Sequence, residues 1–99
     1  MQPLTDNEVT SALSQLDGWT GDGSGISRTV ALPTFPAAIA AVDDIAVEAE
    51  AANHHPDIDI RWRTLTLRLN THDAGGRVTS KDTALAAKID SIISTALAG

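Results

Sequence analysis

All three histidines of the sequence fall in one stretch: His54 and His55 are adjacent, Pro56 follows them, and His72 comes after a run of alternating apolar and polar residues. An unperturbed imidazole titrates near pH 6.5, so it can give or take a proton at neutral pH, the behaviour a general acid or base needs. Carboxylates accompany the group. Glu50 precedes His54 by about one helical turn, Asp73 follows His72 directly, and Asp82 lies further on. Three readings are open: proton transfer, a metal site, or ordinary surface histidines. Against a metal, neighbouring side chains on an extended chain point to opposite sides, so His54 and His55 would rarely reach one ion. The sequence has no cysteine, and a fourth ligand would have to be Glu50 or Asp73. Glu50 can be a solvated acid at a helix end or a group that orients His54. Asp82 also fits the third position of a capping box. Trp62 suits a core more often than a ligand platform, and Trp19 can simply anchor the first hairpin.

The elements that must position these groups can be read from the alternation. Ile58, Ile60 and Trp62 are apolar at even positions, Leu65, Leu67 and Leu69 at odd ones. One continuous strand would point the two sets to opposite faces. A hairpin turning at Arg63-Thr64 puts them on one face. Trp62 then stands opposite Leu65, Ile60 opposite Leu67, Ile58 opposite Leu69, and His55 opposite His72. Arg-Thr lacks the Gly or Asn that two-residue hairpin loops prefer. A longer loop or a bulge would slide the register by one or two residues and still gather the histidines at the open end.

The remaining elements can be taken in chain order. Thr5-Asp6-Asn7-Glu8 is a capping-box pattern before Val9, Ala12, Leu13 and Leu16, and Gly18 is expected to end this first helix. Trp19 opens a short strand, Gly21-Asp22-Gly23-Ser24-Gly25 is a turn, and Ile26, Val30 and Leu32 share one face of the next strand. Thr34 caps a second helix with Pro36 in its first turn and the stripe Phe35, Ala38, Ile39, Val42, Ile45, Ala46 and Ala49. Asn53 suits its end. Asp73-Ala74-Gly75-Gly76 is a loop, and Thr79-Ser80-Lys81-Asp82 caps a third helix with the stripe Leu85, Ile89, Ile92, Ile93, Ala96 and Leu97. The expected class is α+β, in the order α-β-β-α-β-β-α: a four-stranded antiparallel sheet with three helices on one face.

Ninety-nine residues predict a single domain over positions 1–99, large enough to bury roughly 60–70% of its unfolded surface. The net charge of −6, with only seven Lys and Arg, argues against direct nucleic-acid binding. No stretch reaches the roughly 18 apolar residues of a membrane span, and the N-terminus has neither a basic start nor an apolar run. A cytoplasmic location is the expectation.

Glu50, His54-His55-Pro56, Trp62, His72 and Asp82, in that spacing, resemble the signature of the pterin-4a-carbinolamine dehydratases, called dimerisation cofactors of a homeodomain factor in animals. The resemblance runs along the whole chain and takes in Gly18-Trp19, Phe35 and Thr71-His72. It implies the same α-β-β-α-β-β-α fold and a hydro-lyase that removes water from 4a-hydroxytetrahydropterin to give quinonoid dihydropterin, recycling tetrahydrobiopterin. By resemblance His54, His55, His72 and Glu50 are the catalytic group, His54 and His72 handling protons. His55, Trp62, Trp19 and Asp82 would contact the pterin. The resemblance implies no metal and no redox cofactor, and a homotetramer or homodimer. It also implies a rival, a non-catalytic pterin-binding or protein-interaction module. Ile58 stands where the family often has an aromatic residue, Trp62 replaces the motif tyrosine, and the loop before Asp82 is one residue longer than in animal members. These departures bear on pocket shape and on which pterin side chain is preferred.

Overall fold

The periodicities translate into the elements that they predict. In a computed structural model, which describes residues 2–98, helix α1 spans Asp6–Leu13, strands β1 and β2 span Thr20–Asp22 and Gly25–Ala31, and helix α2 spans Phe35–Ala52. Strands β3 and β4 span Asp57–Arg61 and Thr64–Leu69, a short 3-10 turn covers His72–Ala74, and helix α3 spans Ser80–Ala98. Positions 1 and 99 of the expected domain lie outside the described residues. The strands form one antiparallel sheet in the order β1-β2-β4-β3, with the helices on one face. Among the described residues no helix is long and apolar enough to cross a membrane.

The helix starts are set by local hydrogen bonding. Glu8 N–H donates to Thr5 Oγ1 at 3.2 Å while Thr5 N–H donates to Glu8 Oε1 at 2.8 Å, the reciprocal pair of a capping box. Thr34 Oγ1 accepts from Ala37 N–H at 3.1 Å. Asn53 ends α2 in the left-handed conformation, φ 49°. Helix α1 stops at Leu13, earlier than the expected end at Gly18. Leu16 and Trp19 still bury themselves from the turn after it. Gly18 adopts φ +83°, and a Cβ there would lie 2.9 Å from Arg28 Nε, so both conformation and space favour glycine. In the β1–β2 turn, the hydroxyl and then the backbone N–H of Ser24 donate to Asp22 and hold its carboxyl below the usual carboxylate range.

The core lies between sheet and helices. Ile26, Leu67 and Leu69 of the sheet meet Ile45 and Ala49 of α2 and Leu85, Ala86, Ile89 and Ile93 of α3. A second cluster gathers Leu32, Leu65, Ala38 and Ala41. The helix stripes are narrower than expected. Phe35, Ile39 and Ala46 of α2 and Leu97 of α3 are exposed, because apolar residues spread around α2 beyond the sector the sheet can cover. Leu67 is fully buried in a strand paired on both sides. Leu67→Ala is therefore expected to lower the unfolding free energy by about 2–5 kcal/mol, read as a drop in urea midpoint at constant slope.

The β3–β4 register corrects the expected one by two residues. Ile60 pairs with Leu65 and Ile58 with Leu67, and the loop is Trp62-Arg63 instead of Arg63-Thr64. Thr64 pairs with Ala31 of β2, and Leu32 N–H donates to Arg63 O at 2.8 Å, so contacts outside the hairpin fix where β4 begins. Trp62 takes φ 55°, supplying the left-handed residue that a two-residue reversal needs. A shift of two preserves parity, so Ile58, Ile60 and the three leucines keep their common face. The expectation of Trp62 in a core is overturned. The residue is 71% exposed, with the Arg63 guanidinium 4.9 Å from its ring centroid.

Candidate active site

The left-handed turn at Asn53 sets the directions of the next two side chains. His54 N–H donates back to Ala49 O at 3.0 Å, and the His54 side chain is carried inward, to 8% exposure. The next side chain must then point the other way. His55 is exposed and its Nε2 lies 2.8 Å from Glu50 Oε1. Glu50 therefore partners His55: of its two readings the exposed acid at a helix end holds, and the one that orients His54 does not. The carboxylate next to His54 comes from α3 instead.

That carboxylate is Asp82. It is fully buried, and its Oδ1 lies 2.5 Å from His54 Nε2. Its Oδ2 accepts from Thr79 N–H at 2.8 Å and from Thr71 Oγ1 at 2.8 Å. Asp82 thus occupies the capping-box position read from the sequence, three residues after Thr79 in the first turn of α3, where the helix dipole favours negative charge. Being buried behind His54, it is no surface for a substrate, which corrects its expected contact role. With Asp82 ionised, both of its oxygens only accept, and Nε2 of His54 then carries the proton. Nδ1 is left with no protein partner among the described residues.

His72 arrives from the other side. Strand β4 ends at Leu69, Thr71 bridges to Arg77, and His72 opens the 3-10 turn. Gly75 and Gly76, with φ 70° and 78°, return the chain towards α3. Gly75 N–H donates to His72 O and Gly76 N–H to Thr71 O, both at 3.0 Å. His54, His55 and His72 together line a cleft of about 400 Å³, whose other walls are Asn53, Asp57, Asn70, Thr71, Asp73 and Lys81. The gathering of the histidines thus survives the register shift.

Trp19 and Trp62 are not brought to this cleft. Trp19 is a core residue at 4% exposure, its indole N–H donating to Asp90 Oδ1 at 2.6 Å beside Arg28 Nη1, which donates to the same oxygen at 2.7 Å. Trp62 sits at the closed end of the hairpin, opposite the histidines. Sequence reasoning missed Thr71, Asn70 and Lys81 as cleft residues. Thr71 carried a usable signal: it continues the odd-numbered inward series of Leu65, Leu67 and Leu69, and a hydroxyl at an inward position must find a partner. Among the described residues no three His, Asp or Glu side chains are grouped to hold a metal ion. The arrangement offers one fixed, buried imidazole, two more accessible ones and a lysine around a polar cleft. Such a set can bind a small hydrogen-bonding molecule and exchange protons with it.

Residues 2–92 match the sequence pattern of the family described as pterin 4 alpha carbinolamine dehydratase. A relative from Roseiflexus castenholzii named for that dehydratase is 59% identical over 90 residues, covering 91% of this chain and 96% of its own. One from Nocardia farcinica with the same naming is 55% identical over 89 residues, covering 90% and 93%. A crystal structure from Brucella melitensis, titled a transcriptional coactivator/pterin dehydratase, superposes with a TM-score of 0.88 at 30% identity, covering 93% of this chain and 99% of that one. With pattern, relatives and fold in agreement, the chain belongs to the pterin-4a-carbinolamine dehydratase family.

Proposed function

We propose that the protein dehydrates a 4a-hydroxytetrahydropterin to the quinonoid dihydropterin, acting in the cytoplasm to recycle a tetrahydropterin spent in hydroxylation. The observation that carries this reading is the buried His54–Asp82 pair opening on the cleft that His72 also lines. The reaction breaks the C4a–O bond and removes the N5 proton, forming the C4a–N5 double bond and releasing water. One group must deliver a proton to the leaving oxygen and another must take one from N5, and each such transfer contributes about 10²–10⁴-fold. His54, through Nδ1, and His72 are assigned to this pair. His55, steadied by Glu50, is assigned to holding the pterin, and its replacement by Ala weakens binding more than turnover. The elimination itself calls for no redox cofactor.

The direct test is the dehydration rate of freshly generated 4a-hydroxytetrahydropterin with purified protein. Acceleration that survives chelator supports the reading. Loss on chelation, with recovery on adding zinc, would point to a metal instead. No acceleration at all would leave the rival, an interaction module of the kind that the Brucella neighbour's title names for that protein.

We also infer a homo-oligomer, a tetramer before a dimer. Strand β3 is an unpaired edge carrying half-exposed Ile58 and Ile60, and α2 exposes Phe35, Ile39 and Val47. Edges and apolar stripes of this kind are ordinarily covered. Sedimentation at micromolar concentration should show assemblies; a 10.3 kDa species alone would refute this.

A further inference from the structure

Thr71 is 3% exposed and makes more of the site's polar contacts than any sequence feature assigns to it. Its hydroxyl donates to Asp82 Oδ2 at 2.8 Å and lies 2.7 Å from Thr79 Oγ1. A hydroxyl has one proton. Since that proton is on Asp82, the Thr79 hydroxyl must donate to Thr71. Thr79 Oγ1 in turn accepts from Lys81 N–H at 3.2 Å. The protons therefore all point one way, from the backbone at the start of α3 through Thr79 and Thr71 to Asp82. The other carboxylate oxygen lies 2.5 Å from His54 Nε2. The backbone of Thr71 closes the neighbouring loop: its N–H donates to Arg77 O, and its carbonyl accepts from Ala74 and Gly76, each at 3.0 Å. The residue that orients the His54 anchor is thus also the one from which His72 is suspended.

We propose that Thr71 is a positioning residue that fixes the Asp82 carboxylate, and through it the His54 tautomer with the proton on Nε2 and a basic Nδ1 facing the cleft. Without the hydroxyl, Oδ2 keeps only the Thr79 N–H, the carboxylate can rotate, and both tautomers of His54 become accessible. The kinetic part of this proposal rests on the dehydratase reading; the tautomer part does not.

The experiment compares wild type, Thr71→Val and Thr71→Ser, using ring nitrogen NMR of histidine-labelled protein without substrate, alongside dehydration kinetics. Neutral His54 in wild type should carry its proton on Nε2. Thr71→Val, nearly isosteric but without the hydroxyl, should show mixed tautomers at His54 and a fall in kcat of about tenfold with KM unchanged. Thr71→Ser should restore both. The proposal is overturned by a wild-type His54 protonated on Nδ1, by a Thr71→Val protein with unaltered ring signals, or by a folded Thr71→Ser that fails to recover them. If Thr71→Val does not fold, Thr71→Ala and the wild-type tautomer decide. If wild type does not dehydrate the pterin, the function fails while the ring signals still judge Thr71.

Discussion

Asp82→Asn is expected to cut dehydration turnover by about 10²–10⁴-fold while the protein stays folded. The asparagine has almost the same shape, and two donors, Thr79 N–H and the Thr71 hydroxyl, converge on the Oδ2 position. They will hold the amide oxygen there. The amide NH2 is then turned towards His54 Nε2, which must accept instead of donate. The His54 proton moves to Nδ1, and the nitrogen that faces the cleft is no longer basic. Loss of a charge-assisted hydrogen bond should lower the unfolding free energy by only about 1–3 kcal/mol. That is tolerable for a domain whose stability is on the order of 5–15 kcal/mol. Steady-state kinetics beside a thermal melt separate the two effects. A folded Asp82→Asn protein with full turnover would mean that His54 does not work through Nδ1.

His72→Ala should be comparably severe, again about 10²–10⁴-fold in kcat, because it removes the residue to which the second proton transfer is assigned in the proposed reaction. His72 is exposed and outside the core, so its truncation should leave the melting temperature nearly unchanged. With one member of the pair starting protonated and the other neutral, wild-type activity should fall on both sides of an optimum, and each single variant should lose one limb of that bell. Combining His54→Ala with His72→Ala should cost less than the product of the singles, as groups acting in one step do not contribute additively. Unchanged turnover in His72→Ala would remove it from the chemistry.

What could be read in the sequence was what is local. Thr5 with Glu8, Thr34, Asn53, and Thr79 with Asp82 mark helix ends through contacts three or four residues apart, and each is found in that role. The inward series Leu65, Leu67 and Leu69 needed only the two-residue period of a strand. What escaped depends on distant partners. The β3–β4 register is dictated by β2 and the residue after it: Ala31 pairs with Thr64 and Leu32 bonds to Arg63, each from more than thirty residues upstream. The partner of His54 was sought in nearby Glu50, whereas Asp82 reaches it across 28 residues of sequence. Trp19 and Trp62 are alike in type and opposite in fate, one in the core with Asp90, one on a hairpin tip, and composition does not distinguish them.

Asp82 serves a helix and a histidine with the same two oxygens, and this matters to anyone redesigning the protein. Capping boxes ordinarily favour Glu or Gln at this position, so a stability-guided redesign would nominate Asp82→Glu as an improvement to α3. The longer side chain can still reach back to Thr79 N–H, but it moves the second oxygen off the line to His54. An optimiser scoring helix starts alone would report a gain while dismantling the imidazole's support. Any thermostabilised version should hold Asp82, Thr79 and Thr71 constant and seek its gains elsewhere.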